Sequence, residues 1–259
     1  MATNHPLDPL SLEEQEKIVD FARRIWNLNE NHLFSFIQLN EPTKAQLISG
    51  EKLAREARVT IWDRGKGVVT EGIITTEGES KSYQVIEGAK APISVTESAF
   101  ALEIVRNDLV VKKALERRGI FDVNKVHMET WPIGAKIPKQ LDDGRRLIWT
   151  PMWYQPNEKD NFYAHPINGL HAIVDLDKGQ LVSLEDNDET PIPKVPGPYR
   201  AESVAPSIKL KELSINQPNG ASFTVDGWQI QWERWSLRVG FDQREGLVIH
   251  DVSFKDEGK

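Results

Sequence analysis

WSLRVGFDQREGLVIHDVSF, residues 235–254, reads as a strand, a tight turn and a return strand. Trp235, Leu237, Val239 and Phe241 alternate with Ser236, Arg238 and Gly240, the two-residue period of a strand with one apolar face. On the return, Val248, Val252 and Phe254 fall on one side with His250 among them, and Leu247 and Ile249 on the other. Just upstream, an Asp226-Gly227 turn joins two more alternating runs and sets Trp228, Ile230 and Trp232 on one face. A lone hairpin is marginal in water. Aromatic side chains this dense on so few strands require a facing sheet, which the residues after Phe254 do not supply.

Upstream of this all-β region the pattern is mixed. Ser11-Leu-Glu-Glu14 has the spacing of a capping box and is followed by Ile18, Ala22, Ile25 and Trp26 at helical intervals. Strand-like runs at 33–39, 57–63, 67–77 and 81–88 come next, with a short helix closed by Gly50 between the first two. The plan then repeats. Ser94-Val-Thr-Glu97 is a second capping box, with Phe100, Ala101, Ile104 and Val105 behind it, and a further helix runs from Asp108 to a basic, glycine-ended terminus at 117–119. Strands are expected at 123–131, 145–155, 169–176 and 180–186. From 187 to 220 periodicity is lost and six of the fifteen prolines gather, the texture of an extended strap. The fold class is therefore α+β: two tandem helix-on-antiparallel-sheet modules, then an all-β segment.

Composition narrows the function classes. With 39% apolar and 27% charged residues the chain has a globular composition, and its net charge of −7 argues against a general binder of nucleic acid or of anionic membranes. It has no cysteine, which excludes disulfides and thiolate metal sites. The first ten residues lack the basic start and apolar run of a secretory signal, so the chain reads as intracellular.

The chemistry-bearing residues form no recognisable constellation. His5, His32, His127, His165, His171 and His250 include no pair at the two- or four-residue spacing of a metal site, and read as ordinary hydrogen-bonded histidines. The glycines of RGKGVV precede a strand rather than a helix, which suits a hairpin turn and not a phosphate cradle. There is no G-x-S-x-G elbow. Phe100, Trp131, Trp149, Trp153 and Tyr163 are more suggestive: most would be core, and one or two near strand ends could line a pocket.

HPLDPLSLEE (5–14), NFYAHPINGLHAIVDLDKGQL (161–181), the strap and, most specifically, QPNGASFTVDGWQIQWERWSLRVGFDQREGLVIHDVSF (217–254) resemble the copper-containing primary-amine oxidases. The resemblance implies a first small α+β domain at 1–92, a second at 93–186, the strap at 187–221, and at 222–259 the opening strands of a catalytic β-sandwich that is incomplete here. It implies oxidative deamination of a primary amine to an aldehyde, with ammonia and hydrogen peroxide released, by copper and a topaquinone made from a chain tyrosine. It also implies a homodimer. The family's N-Y-D/E-Y/F and H-x-H motifs are absent from these 259 residues. No catalytic residue, metal ligand or bound cofactor is therefore expected in this chain. What the resemblance does assign is part of a substrate-channel wall, with Phe100, Trp131 and Tyr163 at the matching positions. The competing expectation is a non-catalytic protein- or peptide-binding module built of two α+β domains, using its strand edges.

Overall fold

Ser11 opens the first helix, α1 (Leu12–Ile25): its hydroxyl accepts from the Glu14 amide at 3.1 Å and the Glu14 carboxylate accepts from the Ser11 amide at 2.8 Å. In the computed structural model, which describes residues 5–134, 137–187, 190–203 and 210–257, this helix belongs to one of two units. The first unit joins Met1–Ala91 to Leu213–Lys259; the second is Pro92–Glu212.

In the first unit α1 is followed by β1 (His32–Asn40), α2 (Lys44–Ser49), β2 (Glu56–Asp63), β3 (Val68–Thr75) and β4 (Ser80–Ile86). The strands form an antiparallel sheet in chain order. Ile18 of α1 packs with Ala57, Val59, Ile61 and Ile74, all fully buried. Trp26, just past the helix, stacks on Tyr83 with centroids 4.5 Å apart and donates its indole N–H to Ser80 Oγ at 2.9 Å. Its ring lies where a side chain on Gly72 would be, 2.4 Å from an ideal Cβ, so that position must be glycine.

In the second unit α3 (Val95–Asn107) and α4 (Leu109–Arg117) are divided by Asp108, whose carboxylate accepts from the Val110 and Val111 amides. The sheet comprises β5 (Val126–Met128), β6 (Trp131–Pro132), β7 (Leu147–Tyr154), β8 (Pro166–Asp175) and β9 (Gln180–Asp186), ordered β5-β7-β8-β9 with β6 also on β7. Ala101, Val105, Val111, Ala114 and Leu115 of the helices close over Val126, Met128, Ile148, Met152, Leu170, Ala172 and Val174 of the strands. The continuous strand expected at 123–131 is broken. Asp122 caps a 3-10 turn at Val123–Lys125, and pairing lapses between Met128 and Trp131. Pro151, which cannot donate to a ladder, sits in β7 where the register against β8 shifts between Pro151 and Trp153.

Two polar links fix this unit. Glu97 of the capping box receives Arg146 Nε at 2.6 Å and Nη2 at 3.0 Å, both side chains being buried. Burial alone would raise the Glu97 pKa, but the hydrogen bonds from Arg146 and Ser94 outweigh it and hold the carboxyl below its ordinary value. The buried His165 places Nδ1 2.6 Å from the Pro193 carbonyl and Nε2 3.0 Å from Asp160 Oδ2, while Asp160 Oδ1 accepts from the Gly197 amide at 2.9 Å. These contacts hold the strap at Pro193 and Gly197; residues 188–189 and 204–209 lie outside the described residues.

The terminal sheet is an antiparallel meander of β10 (Phe223–Asp226), β11 (Gln229–Trp232), β12 (Trp235–Asp242) and β13 (Gly246–Phe254). Its polar face has a partner within its own unit, which the sequence did not reveal. Arg238 Nη2 meets Asp8 Oδ1 at 2.8 Å, and Gln38 Nε2 donates to both Asp242 carboxylate oxygens at 2.9 Å. Between them lies a cavity of about 390 Å3 lined in part by Leu10, Ile37, Val248 and His250. Trp228, expected beside Ile230 and Trp232, instead stands in the turn before β11 and lines this cavity.

The return strand also differs from expectation. Arg238 pairs with His250 but Ser236 with Ser253, so two residues of β13 oppose one of β12, and Asp251 takes up φ 47°. This bulge reverses the side-chain alternation, moving Val252 and Phe254 off the His250 side. Phe254 pairs with Trp235, Leu247 with Phe241 and Ile249 with Val239. Through the pairs Val225–Ile230, Ile230–Leu237 and Trp232–Trp235 the apolar face runs across all four strands. It is largely exposed, Leu247 to 70%.

A contiguous apolar sheet face of this extent drives association. Sedimentation of the chain should show weight-average mass rising with concentration, and Phe241→Lys with Leu247→Lys should return it to monomer with an unchanged far-UV spectrum. A wild-type chain monomeric at high concentration would refute this. For the second unit, Glu97→Gln removes the carboxylate charge that faces Arg146 Nε and Nη2 in a buried pair and should cost about 3 kcal/mol. Because the folded Glu97 pKa lies below its unfolded value, the pair's stabilisation is present above about pH 4.5 and lost as pH falls through the folded pKa. The acid-induced fall in Tm should therefore shrink in Glu97→Gln.

Candidate functional site

On the face of the second sheet away from α3 and α4, alternation collects aromatic groups. Val126 and Met128 enter the helix-covered core, so His127 between them points the other way. Trp149 and Trp153 follow the same parity on β7, and Trp131 pairs with Trp149. Asn161 accepts from the Tyr163 amide and turns the chain through Phe162–Ala164 back over this surface. The His127 ring stacks on Phe162 with centroids 3.6 Å apart, Phe162 packs on Tyr163 at 4.3 Å, and Tyr163 meets Trp153 edge-on at 5.4 Å.

Glu129 is the hub of this cluster. Trp131 donates its indole N–H to Oε2 at 2.9 Å and Tyr163 donates its phenol O–H to Oε1, with His127 Nε2 3.4 Å from the same Oε1. The Tyr163 hydrogen bond is the main reason the Glu129 carboxyl is held below its ordinary pKa, and the same bond raises the phenol. Trp131 and Tyr163 nevertheless remain 52% and 53% exposed.

The structure thus brings two of the three expected wall residues onto one carboxylate and leaves the third apart. Phe100, 45% exposed, belongs to α3 in the helix layer across the sheet, where its ring sits against Gly179 in the β8–β9 turn. It is not the core residue that its helical spacing suggested. Glu129 and His127 were not singled out from the sequence. The signal was present: His127, Glu129 and Trp131 recur at two-residue intervals, the spacing of one strand face.

As chemistry this arrangement suits binding: it sets a fixed carboxylate among exposed rings. Copper does not fit the residues present. Among the described residues no group of three or more histidine, cysteine, aspartate or glutamate side chains could hold a metal ion. The histidines are dispersed: His32 beside Asp63, His165 on Asp160 and His250 near Glu41. Burial lowers the pKa of His171, which lies against Trp149. No helix among the described residues is long and apolar enough to cross a membrane.

Comparison with known proteins agrees from end to end of the chain. Residues 97–199 match the copper amine oxidase N3 domain and residues 224–258 the copper amine oxidase enzyme domain. The primary amine oxidase of Arthrobacter sp. strain P1 is 36% identical over 261 residues, covering 100% of this chain and 40% of the relative. The histamine oxidase of Arthrobacter globiformis is 28% identical, covering 100% and 38%. The chain thus spans about 40% of the length of these relatives. A copper-containing benzylamine oxidase from Hansenula polymorpha shares the fold, with a TM-score of 0.77 at 21% identity over 97% of this chain and 42% of that one. The chain belongs to the copper amine oxidases, of which it carries the N3 domain and part of the enzyme domain.

Proposed function

We propose that this chain is the N-terminal portion of a primary-amine oxidase that converts amines to aldehydes with release of ammonia and hydrogen peroxide, and that by itself it does not catalyse. The observation that carries this reading is the apolar face of the terminal sheet, which coincides with the enzyme-domain match at 224–258. A face built of Trp232, Trp235, Phe241 and Phe254 is the inner side of a sandwich whose second sheet lies outside these 259 residues. The domain assignment follows: small α+β domains at 1–92 and 93–186, the strap at 187–221 and sandwich strands at 222–259.

Within that enzyme the family's copper and topaquinone supply the oxidation, and this chain supplies wall. Trp131 and Tyr163 present half-exposed rings that exclude water from an apolar amine and narrow its path. Phe100, across the sheet, serves a separate stretch of surface. An intracellular, homodimeric parent enzyme suits the same reading.

The exposed apolar face also favours a second reading, a non-catalytic module that holds a protein partner. One set of measurements separates them. The chain alone should contain no stoichiometric copper, give no adduct with phenylhydrazine and release no peroxide with amines. Supplied with a polypeptide carrying the rest of the Arthrobacter P1 enzyme domain, it should form a one-to-one complex and lose its self-association. Copper-dependent peroxide release by the chain alone, or failure to bind that polypeptide, would overturn the proposal.

A further inference from the structure

The carboxylate of Glu129 has a use beyond holding two rings in place. Oε1 is occupied by the Tyr163 O–H with His127 Nε2 at 3.4 Å, whereas Oε2 accepts only the Trp131 indole N–H, a neutral donor that leaves it a lone pair and does not cancel the charge. The hydrogen bond from Tyr163 keeps the group ionised. Because the polar edges of both rings are turned to the carboxylate, it is their apolar surfaces that supply the half-exposed area. The negative ring faces and the carboxylate attract the same kind of ligand. A hydrated inorganic cation gains nothing from the rings, and an anion is repelled. An ammonium group on an alkyl chain satisfies both, with nitrogen at Glu129 and methylenes along Trp131 and Tyr163.

We infer that Glu129, Trp131 and Tyr163 form a binding site for the ammonium head of an alkylamine. Resting on the channel-wall reading given above, the site takes the distal ammonium of a diamine and so favours diamines over monoamines of equal length. His127 Nε2, 3.4 Å from Oε1, closes the site on the β5 side.

The test uses this chain with 1,4-diaminobutane, 1-aminobutane and 1,4-butanediol as probes, read by NMR on the Trp131 indole N–H. The diamine and the monoamine should shift that signal saturably and the diol should not. Glu129→Gln should weaken both amines about tenfold, while Tyr163→Phe, which keeps the ring and removes one hydrogen bond, should weaken them less. Unchanged binding in Glu129→Gln with an intact amide spectrum, or equal binding of the diol, would overturn the site. Specificity is then measured in the complex with the enzyme-domain polypeptide: Glu129→Gln should lower kcat/KM for the diamine about tenfold relative to the monoamine. If the isolated chain shows Glu129-dependent binding but that ratio does not move, the site stands and the channel-wall reading fails.

Discussion

A strand has two sides, and packing covers them unequally. That alternation governs the second unit's sheet and the terminal sheet alike. In the second unit the helix-covered side takes Val126, Met128, Ile148 and Met152, and the other side is left with His127, Trp149 and Trp153, beside Glu129 and Trp131 in the adjoining segment. In the terminal sheet Arg238, Gly240 and His250 face the polar side, and Trp235, Val239, Phe241, Leu247 and Ile249 the apolar one. Parity decides what each surface can do: one gathers rings around a carboxylate, the other offers an uncovered apolar plane.

Parity is also where the sequence was readable and where it was not. Both capping boxes, at Ser11 and Ser94, fold as their spacing indicates, because each depends only on residues three apart. The α+β class followed from the order of helices and strands. The face of Val252 and Phe254 could not be read, because a single residue at Asp251 in the left-handed region inverts every side chain beyond it and no glycine marks the position. The strand expected at 123–131 failed for a similar reason: Asp122 offered its neighbours a local turn.

The site residues divide along the same line. Trp131 and Tyr163 meet through Glu129, and Phe100 does not, because a helix and the far face of its sheet are separated by the whole core. Positions matched one by one against a family carry no information about which side of a layer they occupy. Glu129 escaped notice because a lone glutamate in a chain with 39 acidic residues has no local mark; its importance lies in the donors that converge on it across 34 residues of sequence.

The ion pair between Asp8 and Arg238 joins residues 230 positions apart, and the second unit lies wholly between them. Emerging from the ribosome, the first unit is therefore started first and finished last, with an entire independent core condensed in the interval. Its N-terminal sheet must stay soluble without the strands that later lie along it. The exposed polar strand β4, which alternates serine and lysine at its start, and the charged termini of α1 suit that waiting period.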